Sequence, residues 1–156
     1  MTYVFDTSPL STLFRNYYRS RFPSLWTRFD AVVEDGRMLS TREVRREIED
    51  SAIEALRDWC KDHAEVFTTP TAEEGEFVKR IFAVGHFQQV IEQKKLYKGG
   101  HNADPFVVAK AAVTNGTVVT LESNLPNASR IPNICDHFEV HWLNLEDFME
   151  IEGWEF

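Results

Sequence analysis

The chain has 156 residues, with 17 Lys or Arg against 25 Asp or Glu, a formal net charge of −8, 43% hydrophobic and 13% aromatic residues. That is enough to build one packed core, expected as a single domain over residues 1–156, and it excludes disordered, collagen-like and disulfide-scaffold chains, since Cys60 and Cys135 make no framework. No apolar run approaches the roughly 18 residues of a membrane span, and Met1-Thr2-Tyr3-Val4-Phe5-Asp6 has neither a basic region nor a signal-type apolar core, so the expectation is a cytoplasmic protein with no membrane partner.

Tyr3-Val4-Phe5 reads as a short buried strand ending at Asp6. Ser8-Pro9 opens a helix, with Ser as N-cap and Pro at the first helical position, that runs to about Tyr18 or Arg19. A second helix spans Ser24 to about Glu34 and ends at Gly36. Met38-Leu39 is a short strand. Ser40-Thr41-Arg42-Glu43 has the capping-box form, so a third helix starts there and reaches about Asp50. Ala52 to about His63 is a fourth. Glu73 to about Tyr97 is helical in pattern, with Gly85 as its weak point, and Gly99-Gly100 breaks the chain. Asp104-Pro105 begins an Ala- and Val-rich helix. Asn115-Gly116 is a turn, and Thr117–Leu121 is a second buried strand. A third strand is expected at Phe138–His141, then a final helix from Leu145 to Glu150. Helices alternating with short apolar strands predict a three-layer α/β/α sandwich around a short, mainly parallel sheet.

The charge is unevenly spread. Residues 131–156, an acidic strand-helix segment, hold seven acids and no Lys or Arg, leaving 17 basic against 18 acidic residues in the rest. Arg15, Tyr17, Tyr18, Arg19, Arg21, Phe22, Trp26, Arg28 and Phe29 interleave arginine with rings, a pattern that suits single-stranded nucleic acid or else a core edged by surface arginines. Lys94, Lys95 and Lys98 form a basic patch that either holds phosphates or complements a helix end. Cys135, His137 and His141, with Cys60 and His63, match no established zinc spacing. The chain carries no Gly-rich phosphate loop, no G-x-S-x-G elbow and no H-E-x-x-H.

Ligands of open α/β sheets bind beyond the carboxyl ends of the strands. Asp6 ends the first strand and Glu122 lies just past the Val118-Val119 strand, so parallel strands bring both carboxylates to one edge. Asp6 can also serve as a turn or cap residue. Asp104, before Pro105, is an N-cap that can face the same edge. In the Ser40 helix, Val44 and Ile48 mark the buried stripe; at about 100° per residue, Glu47 lies roughly 80° from its centre, Glu43 and Glu49 roughly 120°. Glu47 is best placed, with Glu43 as its rival. Clustered carboxylates repel unless a cation joins them, and Mg²⁺ and Mn²⁺ favour oxygen ligands. Such a site suits phosphodiester hydrolysis.

The segments Val4-Phe5-Asp6-Thr7-Ser8, Val44-Arg45-Arg46-Glu47-Ile48, Asp104-Pro105-Phe106-Val107-Val108-Ala109 and Thr120-Leu121-Glu122-Ser123-Asn124, in that order, resemble PIN-domain ribonucleases, the fold of VapC-type toxins. Ile131-Pro132-Asn133-Ile134-Cys135 and the final strand-helix look like an uncharacterised PIN-like subfamily. The resemblance implies catalytic and metal-binding roles for Asp6, Glu47, Asp104 and Glu122 with Mg²⁺ or Mn²⁺, and supporting roles for Thr7, Thr120 and Asn124. The sequence departs from the family in having Glu122 where Asp is usual and Asn124 where a further Asp often stands. The implied activity is metal-dependent endoribonuclease, as the toxin of a toxin-antitoxin pair. Its partners would be RNA and a cognate antitoxin protein, with a homodimer left open. The alternative is a catalytically weak PIN-like module that binds a protein or RNA partner.

Overall fold

The computed structural model describes residues 1–97 and 102–156. The expected break at Gly99-Gly100 and Lys98 of the basic patch lie outside these, as does the side chain of Lys94. In chain order the elements are β1 (Tyr3–Phe5), α1 (Thr7–Asn16), α2 (Pro23–Glu34), β2 (Met38–Thr41), α3 (Arg42–Glu49), α4 (Glu54–Asp62), a 3₁₀ turn (Ala64–Val66), β3 (Phe67–Thr68), α5 (Ala72–Phe82), α6 (Gly85–Tyr97), α7 (Asp104–Thr114), β4 (Thr117–Val119), α8 (Ile131–His137), β5 (Trp142–Leu143) and α9 (Leu145–Ile151).

Among the described residues the sheet has five strands in the order β3-β2-β1-β4-β5, every pair parallel. β1 is central and wholly buried, as its uninterrupted apolar run requires. From β1 the chain winds one way to β2 and β3, then crosses back to β4 and β5. Right-handed crossovers therefore put α1–α4 on one face and α5–α8 on the other. α7 carries the second face: Val107, Val108 and Ala111 are buried, and the helix packs on β1, β2 and β4. On the first side Phe14, Trp26, Phe29 and Trp59 meet edge to face or tilted, with centroids 4.8–6.3 Å apart. Of the rings in the Arg15–Phe29 stretch, Trp26 and Phe29 are core, whereas Tyr18 and Phe22 are exposed; Arg19 lies over Trp26 and pairs with Asp30, and Arg28 Nη1 donates to Gly153 O.

Several boundaries differ from expectation, each for a local reason. Asp6, not Ser8, is the N-cap of α1, with extended backbone (φ −77°, ψ 170°). Ser40 belongs to β2 and donates its hydroxyl to Phe5 O at 2.8 Å; Thr41 caps α3 by accepting from the Val44 N–H. Glu43 does not close a capping box but pairs with Arg42 and Arg46. The Glu73–Tyr97 segment is two helices, parted at Ala83-Val84 just before Gly85, a poor helix former. Asp104 is the first residue of α7 rather than its cap, a place taken by Ala103. The third strand is at Trp142–Leu143, not Phe138–His141, because α8 runs to His137 and Glu139 turns the chain with φ 57°. β3 and α8 were not foreseen. Pro132 in the first turn of α8 was the available signal.

Gly116 precedes β4 in a tight setting: a Cβ there would lie 3.2 Å from Thr2 Oγ1, 3.3 Å from Thr114 Oγ1 and 3.4 Å from Thr2 O, so a side chain would require these neighbours to give by a few tenths of an ångström.

Candidate active site

The chain reverses its winding between β1 and β4, the switch point at which open α/β sheets bind ligands. Pairing of Phe5 with Val119 brings the next residue of each strand, Asp6 and Thr120, side by side. The Asp6 N–H donates to Val119 O at 3.0 Å, and Thr120 Oγ1 donates to Asp6 Oδ2 at 3.0 Å. Ser8 Oγ donates to the same carboxylate oxygen at 3.3 Å and accepts from the Leu121 N–H at 3.1 Å. Asp6 is 4% exposed. Burial, then the charges of Asp104 and Glu122, and lastly that of Glu47, push its carboxyl up to about 8, against one Thr7 backbone bond that favours the ionised form.

Glu47 faces the start of both α1 and α7. Thr7 Oγ1 donates to its Oε1 at 2.6 Å, and the Ala103 N–H donates to its Oε2 at 3.3 Å. Asp104, 1% exposed, is set by Asn102, whose Oδ1 accepts from the Asp104 N–H at 3.1 Å. Glu122 is tied to Thr120 through its own N–H (3.2 Å) and accepts from the Ile131 N–H at 2.7 Å, the first residue of α8. The four acids thus come from the β1–α1 junction, α3, α7 and the β4–α8 loop, and the other three all act on the charge of Asp6.

Two expected residues stand elsewhere. Asn124 bonds to α8, donating to Asp136 Oδ2 at 3.2 Å and accepting from Asn133 Nδ2 at 3.4 Å. Glu43 is turned to Arg42 and Arg46. Sequence reasoning missed Ser8 as a bridge between the ends of β1 and β4, having assigned it to the cap. It also missed Asn102, whose position two residues before a helical Asp is an Asx-type signal. The cysteines hold no thiolate: burial pushes the Cys60 thiol up to about 12 and raises that of Cys135 as well. His63 stacks on Trp59 and its Nδ1 bonds to Trp59 O at 2.9 Å.

As the side chains stand, no group of three or more His, Cys, Asp or Glu among the described residues is disposed to hold a metal ion. Glu47 and Glu122 are bonded to backbone and hydroxyl donors instead. The donor chemistry nonetheless fits a hard divalent cation. The donors are all carboxylate or hydroxyl oxygen, and burial together with the charges of Asp104, Glu122 and Glu47 raises the pKa of Asp6.

A family model described as "Domain of unknown function (DUF4411)" matches residues 3–156. No curated protein matches this sequence. Among solved structures, a chain of the crystal structure of VapBC2 from Rickettsia felis bound to a DNA fragment from their promoter is similar, with 16% identity and a TM-score of 0.51, over 92% of this chain and 98% of that one. At that identity the likeness speaks for the fold, PIN-like, with its parallel sheet between helices. The match along nearly the whole sequence shows that the chain belongs to the DUF4411 family.

Proposed function

We propose that the chain is a metal-dependent endoribonuclease that hydrolyses RNA phosphodiester bonds in the cytoplasm, the toxin of a toxin-antitoxin pair. The observation that supports this most is the buried Asp6 at the switch point of the sheet, its charge opposed by Asp104, Glu122 and Glu47. The likeness in fold to a VapBC2 chain supports an antitoxin as the protein partner.

Asp6, Asp104, Glu47 and Glu122 are the residues that would hold Mg²⁺ or Mn²⁺. When bound, the ion lowers the pKa of a water and stabilises the leaving oxyanion. The chain's own part is positional. Thr120 and Ser8 hold one oxygen of Asp6 by two hydroxyls, which orients the carboxylate along the sheet edge. Thr7 orients Glu47 from the first turn of α1, and Asn102 fixes the start of α7 and with it Asp104. Water attack on phosphorus leaves a 5′-phosphate and a 3′-hydroxyl. Exposed bases and backbone make single-stranded or looped RNA the substrate that suits an open sheet edge.

The test is incubation with total cellular RNA and Mn²⁺, followed by mapping of the new ends. Cleavage with 5′-phosphate ends that EDTA and Asp6→Asn both abolish is expected. Cyclic 2′,3′-phosphate ends, or cleavage that survives Asp6→Asn, would sink the mechanism. A second reading, a binding module with weak or no catalysis, is favoured by the bonds of Glu122 to α8 and of Asn124 to Asp136, which spend both on structure. Failure to cleave any RNA class would select it.

A further inference from the structure

We propose that Arg42, Arg46 and Lys95 form a subsite for the RNA backbone beside the carboxylates, with Glu43 as the positioning residue beneath it. This rests on the nuclease reading for its ligand, single-stranded RNA. A groove of about 380 Å³ runs between α3, α6 and the start of α7, its lining including Arg42, Glu43, Arg46, Lys95, Asn102 and Phe106. It adjoins the acids: Arg46 precedes Glu47, and Asn102 and Pro105 flank Ala103-Asp104 on the opposite wall.

The groove has a built floor. Glu43 is 8% exposed, and a buried carboxylate is costly unless paired. Arg42 donates through Nε and Nη2 to its Oε1 at 3.1 and 2.8 Å, and Arg46 Nη1 donates to its Oε2 at 3.3 Å. The arginine side chains stay 40% and 41% exposed, against 10% for that of Glu43. One sunken carboxylate thus pins two outward guanidiniums, whose five N–H donors each exceed what Glu43 engages. Lys95 is exposed on α6, so three cations face one acid in a chain whose overall charge is −8. Phosphate oxygens match the guanidinium fork. The half-buried rings of Phe82 and Phe106 in the same groove suit stacked bases, which selects single-stranded RNA over an acidic protein segment.

Binding of a fluorescein-labelled single-stranded oligoribonucleotide is measured by anisotropy across salt, in the Asp6→Asn background so that cleavage does not intervene. Arg42→Gln with Arg46→Gln should weaken binding tenfold or more at 0.1 M salt. It should also flatten the slope of log K against log salt by about 1.4, two contacts at about 0.7 each for a single strand. Arg42→Lys with Arg46→Lys should keep the slope. If the double Gln variant does not fold, Lys95→Gln carries the test, with a slope change of about 0.7. Unchanged affinity and slope in a folded variant overturns the proposal. So does an Asp/Glu-rich peptide that binds through these arginines where RNA does not. Arginine-dependent RNA binding by a wild type that cleaves no RNA would uphold the subsite and sink the nuclease reading. Cleavage with arginine-independent binding would do the reverse.

Discussion

Asp6 is buried and opposed by three carboxylates, so its charge is unwelcome in the metal-free protein even though two hydroxyls donate to it. Asp6→Asn should therefore raise the Tm in EDTA by about 2–4 °C, the shift that 1 kcal/mol produces in a chain of this size, and should blunt the rise that millimolar Mn²⁺ gives the wild type. A fall in Tm would mean that the Ser8 and Thr120 bonds outweigh the repulsion. No Mn²⁺-dependent shift in the wild type would remove the metal from the site. Glu47 and Glu43 separate in the same way: Glu47→Gln should abolish cleavage at saturating RNA, while Glu43→Gln retains kcat. Equal loss of kcat from both, or loss from Glu43→Gln alone, would show that Glu47 is not the one acid of α3 that serves the reaction. The angle of Glu47 from the Val44–Ile48 stripe was legible in the sequence. The engagement of Glu43 by Arg42 and Arg46 was not, since the letters Ser40-Thr41-Arg42-Glu43 suit a capping box as well as an arginine pair.

At the scale of elements, α9 is fastened by a three-residue clamp. Arg37 donates twice to Glu152, at 2.9 and 2.8 Å, and the Tyr3 hydroxyl donates to Glu152 Oε2 at 2.5 Å. The bond from Arg37, above all, holds the Glu152 carboxyl below its usual range, while burial and the Glu152 charge push the Tyr3 phenol up. A depressed carboxylate pKa stabilises the fold above its unfolded value of 4.5 and loses that contribution as pH falls through the folded value. Glu152→Gln should thus cost about 1–2 kcal/mol at pH 7, and the gap to wild type should close as unfolding is followed into acid below pH 4. A gap constant with pH would show that packing, not charge, holds α9. Elements with their own start signals were readable, as with Pro105 for α7 and the Ser40–Glu43 run for α3, although the cap proved to be Thr41. β3 and β5 were not: two residues carry no periodicity, and only pairing with β2 and β4 makes them strands.

For the whole molecule, the alternation of helices with short apolar strands was enough to indicate parallel strands between helices, and no local signal could give the strand order. That order comes from pairings far apart in sequence: Tyr3 lies beside Thr117, and its hydroxyl meets Glu152 across 149 positions. Such separations predict refolding in milliseconds to seconds rather than microseconds; a stopped-flow trace following the four tryptophans checks this, and a microsecond phase of full amplitude would contradict it. The pairing of β1 with β4 has a further consequence during synthesis. Asp6 emerges from the ribosome early, but the neighbours that complete its surroundings, Asp104, Thr120 and Glu122, follow only after most of the chain has been made. A nascent chain halted before β4 therefore holds the first acid without its setting. If the finished protein cuts RNA, the growing one is harmless to the message that encodes it.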